Sequence, residues 1–326
     1  MAAPAHIDDH APFIPDKEVW FSDGNVVLEA EGRAFKVYQG LLARDSEVFR
    51  DLFTIPQPSS MEVFDGCPVV HLTDHPQELR HLLRVIFDGK RYYRPDEQVE
   101  FAIVAALIRL SHKYEIDYVR DDYLARMKSC FGTDPGDWDT VSHDSGSPRM
   151  NFNETDAIAL VNIARLTGTD TILPLGLYLC CQLDAKYLLN GYRRPEGSLE
   201  WLDSEDLARC IDARQSLLQK SLISVLQVYD PSTIFPSCTH HFGTRGDCRR
   251  TIESMRQKRM ERSPTSLLQN YLKSDVSMIR SLQKANLLCQ NCADMLCRAG
   301  QQRYRANWII LPQLLDLEAP AGWPEE

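Results

Sequence analysis

Residues Trp20 to Phe53 read WFSDGNVVLEAEGRAFKVYQGLLARDSEVFRDLF, and the period of their apolar residues changes once along the way. Val26, Leu28 and Ala30 alternate with Val27, Glu29 and Glu31, Gly32 supplies a turn, and Phe35 and Val37 resume the alternation. A period of two on both sides of a turn predicts a two-stranded hairpin with one buried face. Beyond it, Leu41, Leu42, Val48, Phe49, Leu52 and Phe53 recur at helical spacing, broken at Asp45-Ser46. A short polar side chain there can cap a second helix by accepting its free N–H groups. The stretch therefore predicts strand, strand, helix, helix.

Upstream, residues 1–17 are rich in Pro, Ala and His without periodicity and read as a mobile leader. Downstream, Thr54 to Gly66 reads as a surface loop and Cys67 to Leu72 as a third strand. Asp74-His75-Pro76 opens a helix whose Leu79, Leu82, Leu83, Ile86 and Phe87 form one apolar face, ended by Asp88-Gly89. Val99 to Leu110 is apolar nearly all round, as a helix buried in a small domain is, and one more helix ends near Phe131.

Several phrases in this region carry a resemblance: Ser22-Asp23-Gly24 before the first strand, Phe35-Lys36-Val37-Tyr38, Leu41-Leu42, and Val48 to Phe53. With DGCPVV at Asp65 to Val70 and LIRLSHKYEIDYVRDDYLARM at Leu107 to Met127, they resemble a BTB/POZ domain of the type numerous in mushroom-forming fungi. The likeness runs over residues 19–131 in the family's order. Where the commonest animal version tends to have His-Lys and Ser, this chain has Tyr38-Gln39 and Asp45. The resemblance implies an α+β chain: a BTB/POZ domain at 18–131, a small sheet covered by helices, followed by a mostly α-helical C-terminal domain. His112, beside Tyr114 at a helix bend, reads as a packed or capping residue rather than a catalytic one.

Composition bounds the remainder. The chain has 326 residues, 44% hydrophobic and 25% charged, enough for two domains of ordinary size. Its 36 basic against 46 acidic residues give a net charge of -10, which disfavours generic attraction to nucleic acid or anionic lipid and makes proteins the default partners. No apolar run approaches the roughly 20 residues of a membrane span, and the N-terminal residues lack the basic and apolar pattern of a secretory signal. The expectation is an intracellular protein of cytoplasm or nucleus, without a membrane. Residues 132–150 read as a linker, 151–230 as a helical extension, 231–315 as a helical region, and 316–326 as a tail. Within the extension, Asn153 to Thr167 and Leu175 to Leu189 suggest helices, and Glu205 to Cys210 with Leu217 to Val228 a helical pair.

Cys238 and Cys248 precede a Cys289-Gln-Asn-Cys292 knuckle in the helical region, and His241 sits three residues after Cys238. Four thiolates satisfy a tetrahedral zinc ion with no open position, so Cys238, Cys248, Cys289 and Cys292 are candidate structural ligands, with His241 as an alternative. The competing reading is that these thiols are buried apolar groups of a helical bundle. The fungal family's late CxxC followed by an Arg-rich helix and W-x-x-L-P resembles Cys289 to Cys292, Arg298, Arg303, Arg305 and Trp308 to Pro312, which implies zinc. A redox CxxC needs a strand before it, where Ser281 to Leu288 reads as helix, and Cys297 reads as a bystander. Arg245 to Arg262 carries Arg245, Arg249, Arg250, Arg256, Lys258, Arg259 and Arg262 against Asp247, Glu253 and Glu261, and reads first as a solvated helix face and second as a nucleic-acid contact.

No phosphate loop, GxSxG, HExxH or paired-carboxylate frame occurs, so the expectation is a non-enzymatic protein–protein interaction module. The resemblance implies an adaptor role, since many BTB proteins bridge a cullin scaffold of a ubiquitin ligase to a substrate, and possible self-association through the BTB domain. Val63-x-Asp65 approximates the hydrophobic-x-Glu motif such adaptors carry before the third strand. Two alternatives stand beside it: a transcriptional or chromatin-associated regulator contacting nucleic acid through the C-terminal half, and an oligomerising scaffold.

Overall fold

The computed structural model describes residues 13–55, 62–89, 92–94, 97–141, 146–194, 197–233, 238–239 and 247–325. It is an α+β protein that divides into two compact units, residues 1–126 and 127–326. No helix among the described residues is long and apolar enough to cross a membrane.

In the first unit, β1 (Ile14–Trp20), β2 (Val26–Ala30), β3 (Arg33–Val37), β4 (Val63–Phe64) and β5 (Cys67–Leu72) form one mixed sheet in the order β1-β3-β2-β5-β4. The hairpin β2–β3 closes through Glu31 (φ 44) and Gly32 (φ 79). Two consecutive positive φ values make the turn whose twist matches the strands, and Gly32 takes its conformation without a Cβ penalty. The same device, Asp65 (φ 48) and Gly66 (φ 75), closes β4–β5. The sequence pattern implied one buried face, yet all five residues of β2 are buried. Being central, β2 covers the main core on one side. On the other, Val27 joins Ala34, Cys67 and Val69 in a second apolar cluster closed by Phe13, Trp20 and Phe64.

Helices α1 (Gln39–Asp45) and α2 (Glu47–Thr54) follow the hairpin. Ser46 is the hinge between them: its hydroxyl accepts from Phe49 N–H at 3.0 Å and donates to the Tyr114 carbonyl at 2.5 Å. Phe49 stacks on the Tyr114 ring at 4.4 Å. Tyr114 in turn ends α4 (Phe101–Lys113), and its hydroxyl donates to Asp74 ahead of α3 (Pro76–Asp88).

Strand β1 takes in residues 14–17, which the sequence assigned to a leader. The reason lies in Asp16, whose carboxylate is fully buried and held by Arg80 of α3 at 2.6 Å, while Glu18 and Val19 N–H groups donate to its other oxygen. Burial opposes the charge, but Arg80 and the two backbone donors outweigh it and hold Asp16 below the usual carboxylate range.

The second unit takes over within α5 (Asp117–Phe131) and continues through α6 (Pro135–Trp138), α7 (Asp156–Thr167), α8 (Leu173–Cys180), α9 (Ala185–Asn190), α10 (Ser204–Val228), α11 (Cys248–Met260), α12 (Pro264–Gln269), α13 (Val276–Lys284) and α14 (Gln290–Leu314). Where a helical pair was expected, α10 is a single helix of 25 residues, because nothing between Cys210 and Leu217 breaks it. The span read as a linker carries α6, whose buried Trp138 donates to the Leu272 carbonyl at 3.2 Å. The span read as a tail is anchored by Trp323, stacked on Trp308 at 5.1 Å and bonded to its carbonyl.

Asp16→Asn is expected to lower stability of the first unit by about 2 kcal/mol, since a buried charged hydrogen bond is lost and Arg80 is left with only the looser Glu18 pair at 3.9 Å. A depressed carboxylate contributes stability above its ordinary value near 4 that disappears as pH falls through its lowered one. Urea unfolding of the full chain should therefore show a steeper acid loss in the unaltered protein than in the variant.

Candidate metal centre

Two helix N-termini and one short segment build the centre. Cys289 is the N-cap of α14, and its sulfur accepts from Cys292 N–H at 3.5 Å. N-cap to N3 spacing turns both sulfurs of the knuckle to one side of the first turn, which is why a CxxC at a helix start makes a two-point ligand. Cys248 opens α11 behind the N-cap Asp247, and its sulfur accepts from Cys289 N–H at 3.2 Å. Cys238 reaches in from its own segment, 3.9 Å from the Cys289 sulfur.

All four sulfurs lie within 4.8 Å of one another. In a tetrahedral zinc site with Zn–S near 2.3 Å the sulfurs stand roughly 3.8 Å apart. The cage is thus within about an ångström of the required size, and all four residues are free thiols. Cys248, Cys289 and Cys292 are buried and Cys238 half-buried, at the end of a core formed with Val225, Val228, Ile252, Ile279 and Leu296.

The electrostatics favour thiolate at one position. Burial works against the charged form of Cys289, but backbone N–H groups of Cys292 and Thr239 and the neighbouring thiols of Cys292 and Cys248 pull it down to about 6. Cys248 moves the other way: burial pushes it up to about 11, helped by the Cys238 and Cys289 sulfurs. Two helix N-termini, each with partial positive charge, face the cage and stabilise whatever negative charge collects there.

The sequence-predicted ligands therefore converge, except that His241 lies outside the described residues. Cys297 stays out of the cage, as a bystander would, with burial pushing its thiol up. Two further features were not visible in sequence. Cys180 and Cys181 meet Cys210 in the core between α8 and α10, the Cys181 thiol donating to the Cys210 carbonyl at 3.5 Å. Asp275 is buried among Tyr229, Arg259 and Arg303, which leaves Arg259 neutralised rather than part of a basic surface.

Compared with known proteins, the chain matches no family model, and no curated protein matches it either.

Cobalt(II) titrated into the reduced, metal-free protein should give the visible absorption of a tetrahedral thiolate complex, saturating at one ion per chain. Cys248→Ala should abolish that signal and Cys297→Ala retain it. Binding should weaken as pH falls, because each thiol must give up its proton to the metal.

Proposed function

We propose that this chain is a non-enzymatic protein–protein interaction module, a BTB-like first unit joined to a helical second unit pinned by structural zinc. The observation that carries the reading is the first unit's order: hairpin, paired helices hinged at Ser46, edge hairpin, then α3 and the buried α4. That order, with the quoted phrases, supports the BTB likeness, and through it a role in recruiting a protein partner. Support for zinc comes from the donor set, four thiols from three segments whose sulfurs all lie within 4.8 Å of one another. Cys238, Cys248, Cys289 and Cys292 would hold the ion, which supplies folding energy and no chemistry to a substrate.

For the narrower adaptor role the relevant surface is β4. Val63 is 60% exposed, as a docking side chain must be. Asp65, standing where the motif has Glu, pairs with Lys36 at 2.8 Å and so is partly committed within the fold. A partner gripping this edge would have to share Asp65 with Lys36.

Affinity purification of the tagged chain followed by mass spectrometry tests the role, and light scattering of the pure protein tests self-association. A recurrent protein partner lost on Val63→Asp, including a cullin for the adaptor role, supports it. A monomer that retains no partner in several extracts argues against it. Zinc chelation should lower the unfolding temperature of the unaltered chain and leave Cys248→Ala unaffected.

A further inference from the structure

Beside the sulfur cage, α11 and α13 enclose an open groove of about 370 Å3. Its floor is apolar, with Met255 from α11 and Met278 and Leu282 from α13, and its rim is basic, with Arg250, Lys258 and Arg262. Among the described residues no carboxylate pairs with any of these three cations. Arg259 also lines the groove, but its charge is taken up by Asp275. Neither Glu253 nor Glu261 lines it.

The spacing selects among anions. Arg250 and Lys258 lie eight residues apart on α11, which at ~1.5 Å per residue separates them by ~12 Å along the axis. Arg262, just past the helix end, extends the row. A small anion can meet Lys258 and Arg262, one turn apart, but leaves Arg250 and the apolar floor uncovered, whereas about four residues of extended peptide reach from Arg250 to Lys258. The floor decides between polymers. Phosphate backbone would satisfy the rim and leave three apolar side chains facing nothing, but a peptide with acidic and apolar residues fills both. Methionine adds adaptability, since its unbranched thioether repacks around differing side chains.

We propose that the α11–α13 groove binds an acidic peptide segment carrying large apolar residues. This deepens the proposed interaction role by giving its second unit a partner class. The electrostatic pairing sets encounter rate and orientation, and burial of the apolar side chains on Met255, Met278 and Leu282 supplies the affinity.

The test is fluorescence anisotropy with the full-length protein and a labelled peptide of about eight residues, alternating Glu and Leu so that in extended form it spans the row and turns its acidic and apolar side chains to opposite faces. The expected result is saturable binding that weakens about tenfold or more, over ~1.4 kcal/mol, in the double variant Lys258→Glu, Arg262→Glu. A Glu and Ser peptide of equal charge should bind at least about tenfold more weakly, and a single-stranded oligonucleotide of equal length likewise. Both substituted residues are exposed, and circular dichroism checks that the variant folds. Equal binding of the Glu and Ser peptide or of the oligonucleotide, indifference to the double substitution, or no saturable binding would each overturn the proposal. The double variant ties the signal to the α11 groove, so failure of this test is separable from failure of the first unit to recruit a partner.

Discussion

Four sulfur atoms drawn from three separate segments into a space under 5 Å across impose the constraint on which the C-terminal region turns. The chain between Cys248 and Cys289 is 40 residues long, and holding its ends together costs conformational entropy that grows with loop length. Thiols offer each other little in return, since their mutual hydrogen bonds are weak and adjacent thiolates repel. Burial lifts the Cys248 thiol while the N–H groups of Cys292 and Thr239 hold Cys289 low, so the cage favours charge at one sulfur without pairing it. A divalent cation would resolve this by accepting electron pairs from all four at once. On this account the ion fixes the starts of α11 and α14 against each other, and the direction of α11 sets one wall of the basic groove.

The first unit follows a different rule, in which buried charge is tolerated because each instance has a specific partner. Asp16 has Arg80, Lys36 has Asp65, and Glu29 accepts from the Gly32 N–H at 2.6 Å while meeting His71. These pairs join a strand to the helix behind it, to a turn beside it or, for Glu29 and His71, to the neighbouring strand. Each is worth little as net stability against an apolar alternative, but breaking one partner is costly, so the pairs specify register more than they add strength.

What the sequence discloses depends on whether a residue's environment is local. The hairpin, the Ser46 cap and the amphipathic α3 are set by neighbours within a few positions, and their periodicity can be read directly. The thiol cluster is legible too, because Cys289 and Cys292 form a local knuckle that predicts partners elsewhere. Strand β1 is hidden because its inward residue, Asp16, looks like surface until Arg80, 64 residues away, is known to meet it. Trp138 and Trp323 sit in stretches whose Pro and Gly content marks them as connecting chain, and only their docking on Leu272 and Trp308 makes them part of the second unit's packing. The groove needs two helices side by side, and the basic run on α11 taken alone looks like an ordinary solvated face.

X-ray absorption at the zinc edge on the reduced, purified chain tests the central claim most directly, because it reads the atoms around the metal without disturbing the fold. The account predicts one zinc per chain in a shell of four sulfurs near ~2.3 Å. Protein that carries no zinc, or zinc held in a shell of nitrogen and oxygen atoms, would contradict it.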